Sequence, residues 1–121
     1  MPLYNPTLLA SIGDLNQTSF SIANNQAVAA NITGFLFSAT TCRSFTAFVS
    51  AFIDATSDLS EAFTLRGEYN GASWDLSQTS NGSASLITFT ITNAGQVQYT
   101  SGNYSGFSSG TIKFRALVTN Q

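Results

Sequence analysis

From about Ser19 onward, apolar and polar residues alternate with a period of two, the spacing of a strand with one buried face. Phe20 and Ile22 alternate with Ser19 and Ser21. Ile32 is followed by Phe35-Leu36-Phe37, with Gly34 interrupting the run. The segment from Phe45 to Ile53 is the longest apolar stretch, rich in aromatic and β-branched residues. It predicts a central strand, buried on both faces for part of its length. Further alternating runs centre on Phe63, Leu65 and Tyr69, on Trp74 and Leu76, and on Ile87, Phe89 and Ile91. Val97 and Tyr99, then Ile112, Phe114 and Ala116, complete the series. Asn70-Gly71, Asn81-Gly82, Asn93-Ala94-Gly95 and Ser101-Gly102-Asn103 separate these runs with residues that tolerate positive φ. About eight strands at hairpin-like spacing predict an all-β fold, an antiparallel β-sandwich that is jelly-roll-like.

The first seventeen residues break the pattern. Asn5 can cap a helix that has Pro6 at its first position and Gly13 just past its end. Leu8, Leu9, Ile12 and Leu15 would then share one face. The competing reading is an extended arm whose apolar side chains dock on a neighbour. The expected organisation is an arm or short helix over 1–17 and a β-sandwich domain over 18–121.

Composition narrows what such a domain does. The 121 residues suit one domain with one core. Histidine is absent, cysteine occurs once, and charged residues make up 8% against 43% hydrophobic. A nucleophile lacks an imidazole base, so the chain reads as no enzyme. Four cations against six acids give no basic field, which argues against nucleic acid and anionic membrane as partners. So little charge protects a surface poorly against association, and part of it is expected to be covered by another subunit. Cys42 has no intrachain disulfide partner and reads as a small buried apolar side chain. The N-terminus carries neither a basic region nor a long apolar run, so the chain is expected to be made in the cytoplasm.

Three constellations could carry chemistry. Asp54, Asp58 and Glu61 place three carboxylates in eight residues, but not in the spacing of a calcium loop or of a glycosidase pair. A turn with solvated acids is the preferred reading; no cofactor or metal is implied. Trp74, Tyr69, Tyr99, Tyr104 and Phe107 could form a flat apolar platform for a sugar ring, or fill the core instead. Tyr104-Ser105-Gly106-Phe107, in a Gly/Ser loop, is the best candidate for an exposed contact. Lys113 and Arg115 are expected to project from one sheet face, either as ordinary solvent-facing charges or as ion pairs with Glu61 or Glu68 across strands or across subunits, and Arg43 and Arg66 are read the same way.

From Asn24 to the end the chain resembles a domain type of bacteriophage structural proteins. The resemblance is carried by Asn31-Ile32-Thr33-Gly34, by Arg43-Ser44-Phe45 leading into Ile53-Asp54-Ala55-Thr56-Ser57-Asp58-Leu59, and by Trp74-Asp75-Leu76. Gly95-Gln96-Val97-Gln98-Tyr99-Thr100-Ser101 and Ile112-Lys113-Phe114-Arg115-Ala116 complete it. It implies a virion component on the capsid surface or in a tail fibre, and no catalytic residues. A short chain beginning at its own Met fits a capsid decoration (cement) protein best. Such a protein would form a homo-oligomer, a trimer by the symmetry of the shell, and bind the major capsid protein or another virion protein. The expected contacts are Leu3, Tyr4, Leu8, Leu9, Ile12 and Leu15 in the arm, with Tyr104 and Phe107 in the loop. The alternative functions are a carbohydrate-binding module or a tail-fibre receptor-binding domain, either one holding host glycan.

Overall fold

The computed structural model describes residues 13–121. Eight strands follow in order: β1 (Leu15–Ser21), β2 (Ala30–Leu36), β3 (Cys42–Asp54), β4 (Leu59–Tyr69), β5 (Trp74–Gly82), β6 (Thr88–Ile91), β7 (Gln96–Thr100) and β8 (Ser109–Asn120). They form a five-stranded sheet in the order β1-β8-β3-β4-β5 and a three-stranded sheet in the order β2-β7-β6. All pairings are antiparallel. The result is the predicted β-sandwich, jelly-roll-like in that the chain's two ends pair: β1 with β8, and β2 with β7.

Alternation decides which side chains meet between the sheets. On β3, Phe45, Ala47, Val49, Ala51 and Ile53 are buried. They meet Ile32, Phe35, Phe89, Val97 and Tyr99 of the smaller sheet in one core. Aromatic pairs join the layers: Phe35 stacks on Phe114 at 4.1 Å between ring centroids, and Phe37 on Phe45 at 3.7 Å. Trp74 packs against Phe37, Phe45 and Tyr69, filling the core as the second reading of that residue required.

Ile32 and Phe35 both point inward although three residues apart, which regular alternation forbids. The register of β2 on β7 shifts between Asn31 and Leu36, and Gly34 takes the left-handed φ of +87° that this bulge demands. The Gln96 amide nitrogen bonds the Ile32 and Phe35 carbonyls that the bulge leaves open, at 2.9 and 3.2 Å.

Several expectations are corrected. Leu15 does not extend a helix or arm: it begins β1 opposite Ala116, so the sandwich starts before residue 18. The β1 entry is held by the Asp14 carboxylate, which accepts the Val118 N–H at 2.7 Å. Leu3, Tyr4, Leu8, Leu9 and Ile12 lie outside the described residues. Asn81-Gly82 is not a hairpin turn but the paired end of β5, opposite Ala62 and Glu61. Gly82 is needed there because a Cβ would lie 2.6 Å from the Ser60 carbonyl oxygen, at φ +118°. β3 is central, but it is not buried on both faces. Phe48 and Phe52 point outward at 39% and 47% exposure.

Candidate functional site

The outward face of the five-stranded sheet follows from its registers. Phe48 on β3 lies opposite Arg115 on β8 and Thr64 on β4, which in turn faces Thr79 on β5. One row along, Ser50 lies between Lys113 and Ala62, with Asn81 beyond. In the other direction Thr46 lies between Leu117 and Arg66, and then Ser44 lies between Thr119 and Glu68, with Asp75 beyond. Phe52, between Thr111 and Ser60, and then the exposed Asp54, opposite Ser109, close the face at the opposite end.

This face mixes apolar groups with cations. Leu117 joins Phe48 and Phe52 as an exposed apolar side chain, at 53%. The Arg115 guanidinium carbon sits 5.0 Å from the centre of the Phe48 ring, a cation–π contact that braces both. Around them runs a groove of about 480 Å³ lined by Gln17, Phe48, Thr64, Asn81, Lys113 and Arg115. Its lining contains no carboxylate. Glu68 and Asp75 stand directly opposite each other at the far end of the same face, both exposed.

Lys113 and Arg115 therefore project from one face, as the alternation predicted, and within this chain they lie opposite Ser50 and Phe48 rather than Glu61 or Glu68. Glu61 turns inward. One of its oxygens accepts the Ser85 N–H at 2.9 Å and the Ser85 hydroxyl at 2.6 Å. Burial pushes its pKa up, but hydrogen bonds from Ser80 and Ser85 outweigh that and hold the carboxyl below its ordinary value. Glu68 faces Ser44 and Asp75 across its neighbouring strands, and Arg66 lines the same shallow depression as both acids. Arg43 is bound instead to the Gln121 amide oxygen, at 2.9 and 3.1 Å.

The loop candidates also move inside. Tyr104 is 7% exposed, and its hydroxyl donates to the Ser85 carbonyl. Burial, together with the nearby Glu61 charge, raises the phenol pKa and keeps this donor protonated. Its backbone N–H bonds Asn24 Oδ1 at 2.8 Å. Phe107 stacks on Tyr104 at 6.0 Å and packs against the core. A Gly/Ser-rich loop suggested exposure; long-range bonds to residues about eighty positions earlier pull it in. With Trp74 and Tyr99 buried too, the aromatics proposed as a sugar platform are not assembled on a surface.

The acidic segment is a turn. Asp58 Oδ1 accepts the Ala55 N–H at 3.2 Å while Glu61 points to Ser85. Among the described residues, no three His, Cys, Asp or Glu side chains cluster as metal ligands. Cys42 is buried, which raises its thiol pKa; the Sγ–H donates to the Ser44 carbonyl.

Sequence reading missed Phe48 and Phe52 as surface residues. The signal was present in their parity. Thr46, Phe48, Ser50 and Phe52 alternate with the wholly apolar set 45, 47, 49, 51 and 53, and the Ser/Thr members mark theirs as the outward one.

No family model and no curated protein matches the chain. A phage tailspike contains a similar fold. The crystal structure of the Acinetobacter phage vB_ApiP_P1 tailspike protein superposes with a TM-score of 0.51 at 14% identity. The match covers 86% of this chain and 22% of the tailspike chain. At that identity the likeness is one of fold.

Proposed function

We propose that this chain is a non-enzymatic structural domain of a phage particle, acting through the outward face of its five-stranded sheet. The observation that carries this reading is that face itself: Phe48, Phe52 and Leu117 stand exposed on a regular sheet, beside Lys113 and Arg115. Exposed apolar groups grouped on one face mark a contact surface. The fold likeness to a tailspike segment supports a virion setting. Within that setting the specific assignment is a capsid decoration protein, which reinforces the shell by binding only its assembled form.

The test is direct. Particles purified from cells producing the encoding phage should contain this polypeptide, detected by mass spectrometry. Particles stripped of it should rebind the wild-type chain and not the Phe48→Ser/Phe52→Ser variant. Absence from purified particles, or turnover of a small molecule by the pure chain, would overturn the reading.

A second reading is a receptor-binding domain of the tail. The groove beside Phe48 favours it, because its cations and amides suit the hydroxyl and carboxylate groups of a glycan. A glycan array on which the wild-type chain gives signal and K113E/R115E does not would select this reading.

A further inference from the structure

We propose that Asn70 is a self-modification site, where the folded chain uses its own backbone and water to turn a neutral amide into a carboxylate. Its chemistry does not depend on what the outward face of the five-stranded sheet contacts.

Asparagine is thermolabile, and most so before glycine, because the next backbone nitrogen can then reach the side-chain carbonyl carbon unshielded. The chain has two such pairs, Asn70-Gly71 and Asn81-Gly82. Local sequence does not separate them; the fold does. To close the five-membered ring, the asparagine backbone must swing out of the extended conformation and carry the glycine with it. Asn81 and Gly82 are the last residues of β5, paired with Ala62 and Glu61. Gly82 is also hemmed in, since a Cβ there would lie 2.6 Å from the Ser60 carbonyl oxygen. Asn70 and Gly71 stand in the turn between β4 and β5, both exposed. A Cβ on Gly71 would meet nothing within 4 Å.

The turn also prepares the carbon that is attacked. Asn70 Oδ1 accepts the Ala72 and Ser73 N–H groups, each at 2.9 Å. The two donors draw electron density from Cγ and stand beside the oxygen on which negative charge develops when a nitrogen adds. The steps balance with water alone. Hydroxide takes the Gly71 amide proton. The nitrogen adds to Asn70 Cγ, and Nδ2 leaves as ammonia with a proton from water, giving a cyclic imide. Water then adds to one imide carbonyl and breaks its bond to the nitrogen. Opening at Cγ leaves an aspartate. Opening at the main-chain carbonyl leaves an isoaspartate, with the chain running through the former side chain. No atom is oxidised or reduced.

Either product adds one negative charge to a chain of formal net charge −2. The new carboxylate lies in a depression of about 360 Å³ lined by Arg43, Glu68, Tyr69 and Gln121. There it competes with the Gln121 amide oxygen, which holds the Arg43 side chain at 2.9 and 3.1 Å. The isoaspartate also lengthens the β4–β5 connection by one backbone atom.

Ageing the wild-type chain in warm, mildly alkaline buffer made with isotopically labelled water tests this. Peptide mapping by mass spectrometry should find labelled aspartate and isoaspartate at position 70, formed about tenfold or more faster than at position 81. In guanidinium chloride, where the fold no longer separates the two pairs, both should convert at similar rates. Asn70→Gln, whose longer side chain disfavours ring closure, should stop the acidic shift of the aged protein on isoelectric focusing. Conversion at Asn81 as fast as at Asn70 in the folded chain would overturn the proposal. So would an Asn70 that stays intact in the folded chain while the unfolded chain converts. An unfolded chain that keeps the same preference would assign it to local sequence and remove the role of the fold.

Discussion

The two sheets of this sandwich hide equally apolar inner faces but show the outside very different ones. The smaller sheet presents Asn31, Gln98, Thr88 and Thr90, with Gln98 bonded to Asn31 at 2.8 Å. These polar groups satisfy one another and water, and Leu36 at the end of β2 is the one large exposed apolar side chain among the described residues of these three strands. The larger sheet presents two phenylalanines, a leucine and six charges, Arg66, Lys113 and Arg115 with Asp54, Glu68 and Asp75. Both outer faces have the same strand geometry, so the difference lies in side chains alone. It teaches that the period-two pattern specifies the fold through one parity of positions and leaves the other free to carry function.

The sharpest way to break the comparison is to truncate a phenylalanine on each side of the sandwich. Phe35→Ala removes a fully buried ring stacked on Phe114 and should cost about 3–5 kcal/mol in urea unfolding. Phe48→Ala, measured on dilute monomer, should stay within about 0.5 kcal/mol of wild type. If Phe48→Ala costs as much as Phe35→Ala, the outer phenylalanines belong to the fold and the contact surface loses its basis.

The next effect concerns the link between the sheets. Ser85→Ala removes the buried hydroxyl that donates to the Glu61 carboxylate. A loss of about 1–2 kcal/mol is expected, read from the same denaturant midpoints. Glu61 also predicts a pH dependence. Its folded pKa lies below the ordinary carboxyl value, so its contribution is complete above about pH 4.3 and is lost as pH falls through the folded value. Unfolding midpoints should drop between pH 6 and pH 3, and the drop should be smaller in Ser85→Ala. Equal drops in both proteins would show that other carboxylates set the acid sensitivity.

The smallest effect is expected on the outer face of the smaller sheet. Gln98→Ala breaks an exposed side-chain bond to Asn31 and should change stability by no more than about 0.5 kcal/mol. It should leave association and particle binding unchanged. A Gln98→Ala variant that loses either property would move the working surface to the other side of the molecule.

The chain itself determined the strands and the sandwich. Alternation at Phe63 and Leu65, or at Ile112 and Phe114, needs only local sequence to be seen, because strand geometry turns every second residue the same way. It also placed Lys113 and Arg115 together, for the same reason. Tertiary structure decided what is remote in sequence. The burial of Tyr104 depends on Ser85 and Asn24, and the inward turn of Glu61 on Ser85, contacts that no local pattern encodes. The start of the sandwich at Leu15 depends on pairing with Ala116, about a hundred residues later. The parity of β3 marks Phe48 as outward, but its neighbours were fixed only when β8 and β4 came to flank β3 in one layer, which set Arg115 and Thr64 beside it from strands remote in sequence.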